Sequence, residues 1–165
     1  MSIQPLLDTL ERLVETHHTM LQLGKDKKNV VIKNDIDGLI KLLNQESRIM
    51  KQIEVLEKER QEACQLFLRE RGIKSLLHLN LTEISRLVFD PEDKVELRKV
   101  QLELSDVLSE LKQTNELNQQ LIEQALAYID YSLDLFRTPS EEFTYQHPSG
   151  NSGGSNRPGI FDARA

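Results

Sequence analysis

Four histidines, one cysteine and 27 carboxylates are the groups in this chain that could do chemistry. His17 and His18 are adjacent. On a helix neighbours point about 100° apart, so the pair does not form a chelate like two histidines one turn apart. His78 and His147 stand alone, and no spacing supplies four ligands, so no metal site is expected. Cys64 falls beside an apolar seam, where a thiol acts as a small packed hydrophobe rather than a nucleophile. The carboxylates repeat as a helical surface pattern. No Gly-rich phosphate loop, nucleophile elbow or HExxH motif occurs. The chain reads as a non-enzyme that takes no cofactor.

With catalysis set aside, the informative residues are apolar and periodic. The longest such stretch runs from Asp90 to Arg137. Asp90 is placed to cap a helix, and Pro91 at the first helical position has no N–H to waste. Glu92 and Asp93 then sit where the helix dipole favours negative charge. No Gly or Pro recurs before Pro139. A single helix over about 91–137, roughly 70 Å long at about 1.5 Å per residue, is predicted. Its first half carries Leu97, Val100, Leu104, Val107, Leu108 and Leu111 in steps of three and four, the pattern of helix packed on helix. Thr114, Asn115 and Asn118 interrupt that seam. Apolar residues then return from Leu121 to Phe136 in a band broader than a coiled-coil stripe.

The preceding chain supplies two more helices. Leu6, Leu10, Leu13, Val14, His17, Met20 and Leu21 predict a helix over about 3–33, capped by Ser2. Gly24 and the Lys25, Lys27, Lys28 cluster either weaken its end or mark a polar face. Asn34 or Asp35 starts a second helix over about 35–71, with a stripe through Ile36, Leu39, Ile40, Leu43, Ile49 or Met50, Ile53 and Leu56. Gly72 after Arg69 and Arg71 is a stop signal. The connector 73–89 contains a short helical pattern at Ile84, Leu87 and Val88, capped by Asn80 or Thr82. Leu76, Leu77, Leu79 and Leu81 are expected to tuck against the bundle end. The fold class is therefore all-α: an elongated antiparallel helical bundle or coiled coil of three main helices, the first two a hairpin. Residues 1–137 form the helical domain. Residues 138–165 hold four of the seven glycines and three of the five prolines, and are expected to be a disordered tail.

A net charge of −6 argues against nucleic acid, which needs a basic footprint. No apolar run approaches the ~18 residues of a membrane span. The start MSIQPLLDTLERL lacks the apolar core of a secretory signal, and one cysteine forbids an internal disulfide. The expected location is cytoplasmic. The Asn115/Asn118 interruption has two readings. Buried Asn in a seam fixes register or oligomer state. Alternatively, it marks where the self-packed core ends and a partner face begins. The band from Leu121 to Phe136 is likewise either core or an exposed docking surface, for which Tyr128 and Tyr131, apolar with a polar end, are suited.

Three stretches resemble the FlgN-type flagellar export chaperones, and the resemblance covers most of residues 3–137. In the second helix they are Asp35, Leu39, Leu43, Glu46, then Ile53, Leu56, Glu57 and Arg60. In the long helix it is NELNQQLIEQALAYIDYSLDLF, Asn115 to Phe136. The third is the ending IFDARA, Ile160 to Ala165, similar to members from Gram-positive flagellated bacteria. The resemblance implies a cytosolic chaperone that binds amphipathic terminal helices of hook–filament junction (hook-associated) proteins. It would prevent their premature association and deliver them to the flagellar export gate. Asn115, Asn118, Leu121, Ile122, Ala125, Leu126 and Ile129 are then the expected cargo-binding residues, with Tyr128 or Tyr131 contacting the gate. A homodimer stays open. So does the alternative of a homo-oligomeric coiled-coil scaffold or adaptor without export cargo, which the same seams would allow.

Overall fold

The computed structural model describes residues 3–74 and 79–137. They form four helices and no strand: α1 (Gln4–Ile32), α2 (Ile36–Glu70), α3 (Leu81–Leu87) and α4 (Pro91–Phe136). At 46 residues α4 is the longest.

Local chemistry sets each helix end. Ile3 occupies the α1 N-cap without a side-chain bond, and Pro5 lies in the first turn; Ser2 lies outside the described residues. Asn34, at φ 56°, takes the left-handed position after α1. Its N–H donates to the Val31 carbonyl, and that of Asp35 to Val30. This closes the helix by a Schellman motif, with Asn serving where Gly is usual. Asp35 then caps α2 by accepting from the Gly38 N–H at 2.9 Å. Asn34 and Asp35 thus have separate tasks, one ending α1 and one starting α2. Gly72, at φ 70°, ends α2 in the same way, with the Ile73 N–H donating to the Leu68 carbonyl. Asn80 and Glu83 form a reciprocal capping box on α3. Asp90 accepts from the Glu92 N–H to start α4.

The order is up, down, up. Arg12–Glu59 and Lys27–Glu46 pair α1 with α2 in antiparallel register. The start of α1 shares a core with Leu97 and Val100, and further along Gly24 lies against Thr114 and Asn118, so α4 runs parallel to α1 and antiparallel to α2. Both α2 and α4 pack along α1, which is the central helix.

The main core is confined to one end. Ile3, Leu6, Leu7, Leu10 and Leu13 meet Leu56, Phe67, Leu68, Leu97 and Val100, and Ile84 and Val88 of the α3 segment close the bottom. Leu79 and Leu81 pack on this cluster, while Leu76 and Leu77 lie outside the described residues. Buried Thr9 is satisfied by donating to the Pro5 carbonyl at 2.8 Å. Arg71 stacks over the Phe67 and Phe89 rings at 4.6 and 4.9 Å.

Two expectations need correction. Gly24 neither weakens α1 nor marks a polar face: it is buried mid-helix, where a Cβ would stand 3.0 Å from the Thr114 Cγ2. Its missing side chain lets α1 and α4 approach. Leu108, placed in the α4 seam by spacing, is exposed, because α1 covers only the Leu97, Val100, Leu104, Val107 side.

Candidate functional site: a cleft at the open end of the bundle

Every buried residue of α2 lies at or after Leu56. Before it, Ile36, Leu43 and Met50 recur every seven residues, with Leu39, Glu46 and Ile53 between them. This is an a/d seam. Ile36, Leu43 and Met50 are nonetheless exposed, and Leu39 and Ile53 are only half-buried. The opposing α4 seam is Leu111, Asn115, Asn118, Ile122, Ala125 and Ile129, again in steps of four and three. The two seams do not close on each other. Between them, over α1, lies a cleft of about 580 Å³ lined by Met20, Met50, Ile53, Leu111, Asn115 and Ile122, among others. A second hollow of about 190 Å³ continues it toward the hairpin tip, walled by Val30, Ile36, Leu39, Ala125, Leu126 and Ile129. Ile122 lines both.

Polar groups punctuate the cleft. Lys27 and Glu46 bond at 2.6 Å, with side chains only 13% and 17% exposed. This pair ties α1 to α2 where the apolar core has ended. Asn118 is buried and donates from Nδ2 to the Gly24 carbonyl at 2.8 Å, while its Oδ1 has no partner among the described residues. Asn115 stands exposed on the cleft wall. The two asparagines therefore differ: one joins α4 to α1, the other faces the opening.

The remaining expected site residues divide similarly. Ile122, Ala125, Leu126 and Ile129 line the cleft. Leu121 is half-buried and lines neither hollow. Tyr128 and Tyr131 are exposed and line neither hollow; by helical spacing Tyr131 lies on the side of α4 opposite Ile122, and Tyr128 on its flank, about 120° round. Beyond Ile129 the helix continues for about two turns with Leu133, Leu135 and Phe136 exposed, the last at 84%. Spacing alone did not point to Val30 and Val31 of α1 as cleft residues, nor to Ile36, Leu39 and Met50 as the facing wall. The seven-residue repeat in α2 is the signal that could have found the latter.

Besides Lys27 and Glu46, the titratable groups that line the larger hollow are His17 and Glu123. His17 bonds its own helix through Nδ1 and the Leu13 carbonyl at 2.7 Å, and His18 is exposed. His78 and His147 lie outside the described residues. Among the described residues no cluster of His, Cys, Asp or Glu could hold a metal ion. Cys64 is buried in the core, and burial pushes its thiol above the ordinary value, opposed by nearby Arg60. No helix among the described residues is long and apolar enough to cross a membrane.

The sequence profile of the FlgN protein family matches residues 1–153, nearly the whole chain. The chain belongs to the FlgN family. FlgN proteins are chaperones of flagellar assembly, not enzymes, and membership supports a flagellar export chaperone role that involves binding flagellar proteins. This FlgN chain is also similar to the uncharacterized protein YvyG of Bacillus subtilis (strain 168). The two are 27% identical over 145 residues, covering 88% of this chain and 87% of the relative. No solved structure matches it.

Proposed function

We infer that the α1–α2–α4 cleft receives an amphipathic terminal helix of a hook–filament junction protein. The chaperone then holds that protein unassembled in the cytoplasm and delivers it to the export gate. The observation that carries this reading is the pair of facing apolar seams that no other described residue covers at one end of a FlgN chain. Such a cleft suits the helix-in-groove mode of recognition, in which side chains one and two turns apart anchor in a hydrophobic channel. A cargo helix would be desolvated there, and its surfaces for pairing with neighbouring subunits would be covered.

The magnitudes suit a carrier. Six half-exposed side chains such as Ile36, Leu39, Met50, Ile122, Leu126 and Ile129 would each contribute about 1 kcal/mol on further burial. Ordering the cargo helix and losing its independent motion offset much of this gain. The net affinity is firm but reversible, as handover requires. Asn115 offers a polar contact at the cleft wall, and Asn118 holds α4 in register on α1 by its bond to Gly24. Tyr131 on the opposite side of α4 and Tyr128 on its flank lie outside both hollows and remain accessible for the export gate when the cleft is filled.

Titration calorimetry with the C-terminal helical segment of a junction protein from the same organism tests the reading. Saturable binding near one to one, with a negative heat-capacity change, is expected. Ile122→Asp and Ile129→Asp should remove it. Replacing both tyrosines by Ala should lower cargo export without altering cargo binding; unchanged export rejects the gate contact. The exposed Ile129, Leu133, Phe136 stripe also favours self-pairing of α4, as a homo-oligomeric scaffold would use. Sedimentation separates the two: a scaffold keeps its oligomer when junction protein is added, whereas the chaperone exchanges self-contacts for cargo.

A further inference from the structure

At the other end of α4, on the side turned away from α1, lies a cleft of about 690 Å³ between α3 and α4. Its floor is Pro91, Val95, Arg98, Leu102 and Ser105 of α4, in steps of four and three. Val95 and Leu102, seven residues apart, are its two aliphatic side chains. None of the described residues covers it: Val95 and Leu102 are 69% and 57% exposed. The wall is α3, which contributes Thr82 and Ser85 and is held to α4 by the Gln101 side-chain amide donating to the Thr82 hydroxyl at 3.1 Å.

The charge of this cleft runs against that of the protein. The whole chain carries −6, yet the charged residues of the lining are Lys94 and Arg98 alone, both cationic. Neither makes an ion pair among the described residues. They share this with most cations among the described residues, so what sets the cleft apart is that its lining holds cations and no carboxylate. Two unpaired cations beside two exposed aliphatic side chains at heptad spacing define the complement. It is a helix with apolar residues every three or four positions and carboxylates along its flank.

We propose that the α3–α4 cleft is a second docking surface, for an acidic amphipathic helix of a partner protein, with Val95 and Leu102 as the apolar contact and Lys94 and Arg98 as the charge contact. Leu102 and Ile122 are twenty residues apart on one helix, or about 30 Å. The two clefts therefore occupy different stretches of α4, and a helix in one does not fill the other. The assignment does not depend on what fills the open-end cleft.

The test uses the full-length protein and a fluorescein-labelled synthetic helix of about 15 residues, long enough to span Pro91 to Ser105, with Leu at the seam positions and Glu on both flanks. A second helix with Lys in place of Glu is the charge control. Fluorescence anisotropy should show binding of the Glu helix only, weakening as salt rises from about 50 to about 300 mM. Lys94→Glu with Arg98→Glu should weaken it about tenfold or more, by charge reversal at two contacts. Val95→Asp should do the same, while Ile122→Asp at the other cleft leaves it unchanged. All these positions except half-buried Ile122 are exposed, and matching far-UV circular dichroism confirms that each variant is folded. The proposal is overturned if the Glu helix does not bind. It is equally overturned if the Lys helix binds as well, or if binding responds to Ile122→Asp and not to the Lys94/Arg98 change.

Discussion

The close approach of α1 and α4 at Gly24 sets the position of Asn118 and with it the cleft. It can be tested by adding a single methyl group. In the interior of a helix Gly→Ala ordinarily stabilises by about 1 kcal/mol, because alanine loses less backbone freedom on folding. Here the new Cβ would lie 3.0 Å from the Thr114 Cγ2, 3.9 Å from the Asn115 Oδ1 and 4.0 Å from the Thr114 Cβ. Thr114 is β-branched and has few rotamers to move into. The helices must then shift apart by a few tenths of an ångström, which stretches the 2.8 Å bond from Asn118 to the Gly24 carbonyl. Overpacking of this kind costs about 1–3 kcal/mol. Set against the propensity gain, Gly24→Ala should lower stability by about 1 kcal/mol. In a Thr114→Ala background the obstructing methyl is gone, and the same change should raise stability by about 0.5–1 kcal/mol. The coupling between the two sites is then about 1.5–2 kcal/mol, well above the scatter of independent sites. Urea unfolding of the four proteins of this cycle, followed by circular dichroism at constant m-value, measures it. Additive effects, or a stabilising Gly24→Ala in the parent, would falsify the packing of α1 on α4 described here.

Three further outcomes follow from burial. Ile129→Asp replaces an exposed side chain and should cost only about 0.5 kcal/mol of helix propensity, whereas Leu121→Asp puts a carboxylate in a half-buried position and should cost about 2 kcal/mol or more; equal melting curves would refute the distinction between them. Glu46→Ala, which strands the nearly covered Lys27 ammonium, should cost about 1–2 kcal/mol, while joint replacement by Leu and Met should restore most of it; thermal melts of the three variants decide. Burial raises the Cys64 thiol above its ordinary value of 9.0, so the unfolded chain ionises first as pH increases. The stability this group contributes is complete below pH 9.0 and declines as pH rises through the folded-state value. Alkylation of Cys64 at pH 8 should therefore be far slower in the native protein than in urea, and comparable rates would place the thiol at the surface.

The helices themselves are legible in the order of the amino acids. Their ends are set by local chemistry: the Asp35, Asn80 and Asp90 side chains reach backbone N–H groups two or three residues on, and Gly72 accepts a positive φ. These contacts need no distant residue, so a sequence contains them in full. The apolar steps likewise identify α1, α2 and α4, and of the two asparagines that interrupt the α4 seam Asn118 is buried against α1 while Asn115 is exposed. Two of the three stretches that carry the FlgN resemblance lie on α2 and α4, and the third, Ile160 to Ala165, lies outside the described residues.

What spacing could not supply was which apolar residues are covered. Leu97 and Leu108 both fit the three–four pattern, as do Leu121 and Ile122, yet burial depends on the distance to the next helix, and periodicity carries no such distance. Gly24 is the sharpest case. Taken alone it is a weak point in a helix; opposite Thr114 it is the contact that brings two helices together. The candidate cleft is half visible in the sequence, on α4, because one helix face can be drawn from one segment. Its other wall, from Ile36 to Ile53, and its floor on α1 exist only because three segments distant in sequence lie side by side, with α2 and α4 held too far apart at that end to fill the space between them.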